Sequence, residues 1–192
     1  MLDYYENHAL LYFQATRDTD MRPLRVRFLA HVPAGGRILD AGCGSGRDSR
    51  SFLAGGFSVV AFDGSAAVAE VAGPYIGQPV EVRTFTEVDW REAFDGVWAC
   101  ASLLHVSWAE LPDAVARLAQ ALKPGGVLYM SFKHGRGERI AEDGRFFLDF
   151  DEAGLDELLE AVPGLTLIEC WRSPDQLGGE RPDWLNALAR KV

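Results

Sequence analysis

Three glycines on alternate positions follow an apolar run and an acid in Ile38-Leu39-Asp40-Ala41-Gly42-Cys43-Gly44-Ser45-Gly46. Glycine has no side chain, so each one lets the backbone turn sharply or come close to a ligand. The run before them reads as a strand, and the residues from Arg47 onward as a helix. A second run, Ser58-Val59-Val60-Ala61-Phe62-Asp63, reads as another strand ending in another acid. Strand, glycine turn, helix, strand and acid form the layout with which an open α/β sheet binds a nucleotide or nucleoside.

The glycine spacing narrows the ligand. A dinucleotide site uses G-x-G-x-x-G, and its third glycine would fall on Arg47. The acid at Asp40 also precedes the glycines, where the dinucleotide pattern asks for none. An acid-x-G-x-G-x-G turn followed by an acid after the second strand resembles the class I S-adenosylmethionine (SAM)-dependent methyltransferases. The resemblance extends from about residue 36 to the end, through Phe94-Asp95-Gly96-Val97-Trp98, Leu104-His105 and Leu122-Lys123-Pro124-Gly125-Gly126. It is greatest to the small-molecule branch, including compact bacterial tellurite-resistance methyltransferases. Two departures stand out. Phe62-Asp63-Gly64-Ser65 replaces a commoner Gly-x-Asp, and no Asn-Pro-Pro-Tyr-type motif follows the Phe94–Cys100 strand, which disfavours amide or nucleobase nitrogen as the acceptor.

The resemblance implies SAM as cofactor and a small-molecule methyl acceptor as partner. It places Asp40, Ala41, Gly42, Cys43, Gly44, Ser45 and Gly46 around the amino-acid end of SAM. Asp63, Gly64 and Ser65 fall at the ribose, where a carboxylate can accept from both hydroxyls. Phe85, Thr86 and Glu87 fall near the adenine, and Ala101 is a further expected cofactor-binding residue. Methyl transfer asks for positioning more than for acid–base chemistry, because the sulfonium is already an activated leaving group. Where an acceptor proton must leave, His105 is the candidate base. Tyr4, Tyr5, Tyr12 and Arg17 could shape the acceptor pocket. The basic segment Lys133-His134-Gly135-Arg136 and Arg145-Phe146-Phe147 could recognise an anionic acceptor or be solvated loop charges. Two other readings stand beside this one, a SAM-binding protein without catalysis and a nicotinamide-dependent oxidoreductase on the related fold.

Composition bounds the partners. Net charge is −9, which argues against a nucleic-acid backbone as the main partner. Hydrophobic content of 48% and charged content of 24% suit a globular protein, and no apolar run approaches the ~20 residues of a membrane span. The first residues lack signal-peptide character, so the expected compartment is the cytoplasm. Cys43, Cys100 and Cys170 are few and scattered, which predicts free thiols and no metal site.

The elements that must position these residues alternate in type. Strands are expected at 38–41, 58–63, 80–85, 94–100, 127–132 and 165–171; residues 184–190 read equally as helix or strand, and the resemblance implies that they form the last strand. Helices are expected over the first thirty residues, at 47–55, 65–72 and 108–122, and after Asp151. Ser107 and Glu110 have the spacing of a capping box. Alternation of this kind predicts parallel strands with helices on both faces and a site at the strands' carboxyl ends. The resemblance makes this a Rossmann-like α/β fold with seven strands, mostly parallel, the last antiparallel. Residues 1–192 are expected to form one domain, with residues 1–34 as a helical cap over the site.

Overall fold

The computed structural model describes residues 2–175 and 182–192. Its centre is a seven-stranded sheet of order β3-β2-β1-β4-β5-β9-β8. The strands are β1 (Arg37–Ala41), β2 (Ser58–Asp63), β3 (Glu81–Val82), β4 (Phe94–Ala99), β5 (Leu122–Lys133), β8 (Leu165–Ser173) and β9 (Trp184–Lys191). All neighbours pair in parallel except β9, which runs antiparallel between β5 and β8. The expected topology and the antiparallel last strand are therefore both present.

Burial on both faces explains why the central strands read as unbroken apolar runs. Successive residues enter opposite cores. Leu39, Val97, Leu128 and Met130 join the core beneath α5 (Leu111–Ala121) and α6 (Glu152–Ala161). Ile38, Trp98, Val127 and Tyr129 face α2 (Arg22–Leu29) and α3 (Arg47–Ala54) instead. Trp98 is the hub of that second core. Its ring lies 5.2 Å from Phe28, 5.6 Å from Phe52, and stacks on Tyr129 at 4.0 Å. Beside it, α2 approaches the sheet so closely that a Cβ on Gly96 would meet Phe28 Cζ at 2.6 Å.

Several expected boundaries move. β3 has two residues, because Phe85–Glu87 winds into a 3-10 turn instead of extending the strand. α5 begins at Leu111, not 108: Ser107 Oγ donates to the Glu110 carboxylate at 2.6 Å, so this pair bonds to itself and does not cap the helix. β5 starts at Leu122, ahead of the glycines expected to form a turn. α4 (Ala66–Ile76) runs on through Pro74. Asp151 caps α6 as expected, accepting from Gly154 N–H at 2.8 Å. The chain after the basic segment forms an additional antiparallel hairpin, β6 (Gly137–Ile140) and β7 (Phe146–Asp149), that the sequence did not announce. The N-terminal helices are α1 (Leu2–Thr16) and α2, and α1 packs along α4. No helix among the described residues is long and apolar enough to cross a membrane.

Asp40 carries an energetic consequence of this architecture. It is the next-to-last residue of β1, lies between β2 and β4, and is 2% exposed. Burial pushes its carboxyl up to about 7, with Asp48 adding to the effect and Ser49 Oγ, donating to Oδ2 at 2.6 Å, opposing it. The folded chain thus holds a proton at Asp40 that the unfolded chain releases near pH 4, so this group's contribution to stability falls as pH rises from about 4 to about 7. Asp40→Asn is therefore expected to stabilise the protein relative to wild type more at pH 8 than at pH 5, as read by urea unfolding at the two values. An equal effect at both would contradict the assigned protonation.

Candidate functional site

The glycine turn sits at the carboxyl end of β1. Gly42, Gly44 and Gly46 have φ of +76°, +54° and +76°. Left-handed backbone of that kind is costly for any residue with a Cβ. Gly46 also has no room, since a Cβ there would lie 2.4 Å from Ile76 Cγ1 of α4. Two bonds tie the turn to β2: Gly42 N–H and Cys43 N–H both donate to Phe62 O at 2.9 Å. Asp63 adds a third tie, its Oδ2 accepting from Gly44 N–H at 2.9 Å and its Oδ1 from Ser65 N–H at 3.0 Å. Burial pushes the Asp63 carboxyl up, while these backbone bonds pull it back down.

Two adjoining cavities, of about 210 and about 340 Å³, open along the strand ends. The smaller is lined by Gly42, Gly44, Asp63, Gly64, Phe85 and Thr86. The larger begins at Asp40, Cys43, Ser45 and Arg47 and extends towards β5, β7 and β9. Tyr5, Tyr12, Gly42, Ala101 and His105 border both. Ala101 is one of two residues other than glycine at positive φ among those described, at +54°, and Ser131 Oγ accepts its N–H at 2.9 Å. Strained backbone of this kind persists where surrounding bonds hold it, and it gathers at functional sites.

Helix α1 roofs the junction of the cavities. Tyr12 lies above the turn, its hydroxyl 2.9 Å from where a Gly44 Cβ would stand. Tyr5 Oη and His105 Nε2 are 2.8 Å apart, and His105 Nδ1 is 2.7 Å from Phe146 O. A carbonyl only accepts, so Nδ1 carries the hydrogen and Nε2 accepts from Tyr5. Burial lowers the His105 imidazole to about 4, and it is neutral at physiological pH. Glu6 reaches the start of α4, where its carboxylate accepts from Ala66 N–H at 2.7 Å.

A buried charge cluster closes the far side of the turn. Asp48 accepts from Arg25 Nη1 at 2.6 Å and from Trp98 Nε1 at 3.2 Å, with Arg47 Nε 3.4 Å away. Arg47 also donates to Thr16 O at 3.3 Å, but its buried Nε lacks a well-aligned partner. Its guanidinium stays charged against burial because Asp48 lies beside it.

Of the residues expected at the site, Asp40, Gly42, Cys43, Gly44, Ser45, Asp63, Gly64, Phe85, Thr86, Ala101 and His105 border one or both cavities. Four do not. Ala41 is buried and accepts Ser102 Oγ at 2.6 Å through its carbonyl. Gly46 caps α3, and Ser65 Oγ caps α4 by accepting from Val68 N–H at 3.2 Å. Glu87 turns back on its own loop, accepting from Thr84 N–H and Oγ1 at 2.8 Å, so it is a capping residue away from the cavities. His105 reaches the site, with Nε2 bonded to Tyr5 Oη and Nδ1 to Phe146 O. The sequence reading left Ser131 and Asn186 unremarked. They face each other in the β5–β9 register, and both border the larger cavity. Their signal was polarity inside otherwise apolar strands.

Comparison with known proteins agrees with this geometry. Residues 38–126 match the family model described as a methyltransferase domain. The malonyl-[acyl-carrier protein] O-methyltransferase of Erwinia pyrifoliae is 36% identical over 125 residues, covering 60% of this chain and 45% of that protein. A ubiquinone biosynthesis O-methyltransferase of Xanthomonas axonopodis pv. citri is 32% identical over 121 residues, covering 58% and 49%. The chain thus spans about half the length of these relatives. The crystal structure of Burkholderia thailandensis 1,6-didemethyltoxoflavin-N1-methyltransferase, with 1,6-didemethyltoxoflavin and S-adenosylhomocysteine bound, is 26% identical. It superposes with a TM-score of 0.80 over 100% of this chain and 85% of that one. In sequence over residues 38–126, and in fold, this chain is similar to the S-adenosylmethionine-dependent methyltransferases.

Proposed function

We propose that this protein binds SAM across the two cavities and transfers its methyl group to a small-molecule acceptor, with residues 1–192 acting as one domain and the N-terminal helices as its cap. The observation that carries the reading is the carboxylate of Asp63, fixed by Gly44 and Ser65 N–H at the edge of the smaller cavity. Each carboxylate oxygen keeps a further lone pair for a ribose hydroxyl. Phe85 and Thr86 then flank the base, and Gly42, Ser45 and Arg47 receive the amino-acid end in the larger cavity. The combined space falls in the usual range for small-molecule sites, about 300–1,000 Å³. SAM supplies a methyl group already activated on a sulfonium. The chain's own task is to orient that group and exclude water, which Tyr5 and Tyr12 do from above.

Isothermal titration with SAM, S-adenosylhomocysteine and NADH tests the cofactor. Binding of the first two and not the third is expected, with Asp63→Ala weakening it at least about a hundredfold, in line with two charge-assisted bonds of about 1.5–3 kcal/mol each. NADH binding alone would revive the oxidoreductase reading. Arg47→Gln tests the placement of the amino-acid end. It is expected to weaken S-adenosylhomocysteine about ten- to hundredfold, one charged bond, while leaving methylthioadenosine, which lacks that end, unchanged. Equal weakening of both ligands would remove Arg47 from this role.

A further inference from the structure

Beyond Gly42, Ser45 and Arg47 the larger cavity is a chamber lined from β5, β7 and β9, and the charges around it differ in how they are matched. Lys133 Nζ pairs with Asp175 and lies 4.0 Å over the Trp184 ring. Arg47 and Arg25 share Asp48, and Asp20 accepts from Arg22 N–H at 2.8 Å. Asp40 is held by Ser49 below the turn. Arg145, at the start of β7, is different. Its carboxylate partner Asp143, bonded at 2.9 Å from Nε, is exposed and does not border the cavity, whereas Arg145 does. The guanidinium is half-buried, lies 5.2 Å from the Phe147 ring centroid and 4.7 Å from that of Tyr4, and stays charged because Asp143 and Tyr5 bond to it against the cost of burial.

The basic segment singled out in the sequence therefore divides. Arg136 turns outward to Asp151 and Glu157, and Arg139 pairs with Asp149. Arg145 faces the chamber, where Phe147, Leu104 and Trp184 supply apolar walls. A planar cation with several N–H groups, set beside an aromatic ring, fits a carboxylate through paired hydrogen bonds. His105 also borders this chamber, with Nε2 bonded to Tyr5 and Nδ1 to Phe146 O, so neither nitrogen is left open to an acceptor directly.

Resting on the methyltransferase reading, we propose that the acceptor is a small carboxylic acid, held by Arg145 and methylated on its carboxylate oxygen. That acceptor arrives as an anion. One oxygen forms the new C–O bond as the methyl C–S bond breaks, and the electron pair of that bond leaves on sulfur. The products are a neutral ester and S-adenosylhomocysteine, and no proton changes hands. The acceptor therefore asks nothing of the engaged His105.

The test uses the full chain with benzoate, phenylacetate and cinnamate as probes, each against its primary amide. Binding to protein saturated with S-adenosylhomocysteine is read by ligand-observed NMR, and methyl ester formation from SAM by mass spectrometry. Carboxylates are expected to bind and be esterified while the amides do neither. Arg145→Gln is expected to raise the KM for the acid at least tenfold with kcat changed less than threefold, and Arg145→Lys to recover part of the loss. S-adenosylhomocysteine affinity is expected to stay within twofold of wild type in both variants. Failure of every acid to bind, preference for the amides, or an unchanged KM in Arg145→Gln would each overturn the proposal. So would weakened S-adenosylhomocysteine binding in that variant, which would reassign Arg145 to the cofactor. Failure of the wild type to bind S-adenosylhomocysteine would overturn the cofactor reading, a separate result.

Discussion

One carboxylate joins the parts on which this site depends. Asp63 ends β2, yet it accepts from the backbone of the glycine turn after β1 and from the first residue of the α4 cap. Without it, the N–H of Gly44 would face the protein interior unpaired, at a cost of about 1–3 kcal/mol. The turn has little else to hold it. Its three glycines contribute no side chains, and their freedom in the unfolded state makes ordering them expensive. The two bonds to Phe62 O and the one from Gly44 N–H to Asp63 convert a flexible run into a fixed one. The residue that shapes the turn is thus also the one proposed to receive a ribose, so on that proposal ligand binding and local order draw on the same group.

Around this frame, two segments distant in sequence build the roof. Helix α1 brings Tyr5 and Tyr12 from the N-terminus, and the β6–β7 hairpin brings Arg145, Phe146 and Phe147 from beyond β5. They meet at His105, whose two nitrogens bond one to Tyr5 and the other to Phe146. A neutral, doubly bonded histidine is a good rivet and a poor base. Its low basicity follows from burial, and the same burial makes both bonds count, since an unpaired nitrogen there would be left without water.

The sheet was legible because its cause is local. Apolar runs of strand length bounded by glycine and proline mark buried strands, and six of the seven were placed in this way; the last, and its antiparallel sense, followed from the family resemblance. The glycine turn and Asp63 were legible for a similar reason: residues without Cβ and acids at strand ends are visible one at a time. Other features depend on partners far along the chain. Glu87 looked like a ligand group until Thr84 claimed it, and Ser107 looked like a cap until Glu110 turned its carboxylate to the hydroxyl. The hairpin escaped notice because β6 is exposed along its whole length, so it carries no alternation of apolar and polar residues. His105 could be placed at the site from sequence, but its role could not, because Tyr5 stands 100 residues away.

The cluster of Asp48, Arg25, Arg47 and Trp98 shows what such a site costs the fold. Asp48 is 4% exposed and lies against the main aromatic core, where an ion is expensive to bury unless its bonds are filled. Arg25 and Trp98 fill them, so Asp48 links α2, α3 and β4 through one side chain. Arg47 stands beside the pair with its Nε poorly aligned to any acceptor. Apolar residues of similar size would serve the core as well or better, because replacing a buried ion pair in that way is often neutral or stabilising. The cluster therefore makes most sense through Arg47. A cation brought to the wall of an apolar cavity needs a fixed counter-charge behind it, and Asp48 supplies that charge from within the core while the front of the guanidinium faces the cavity.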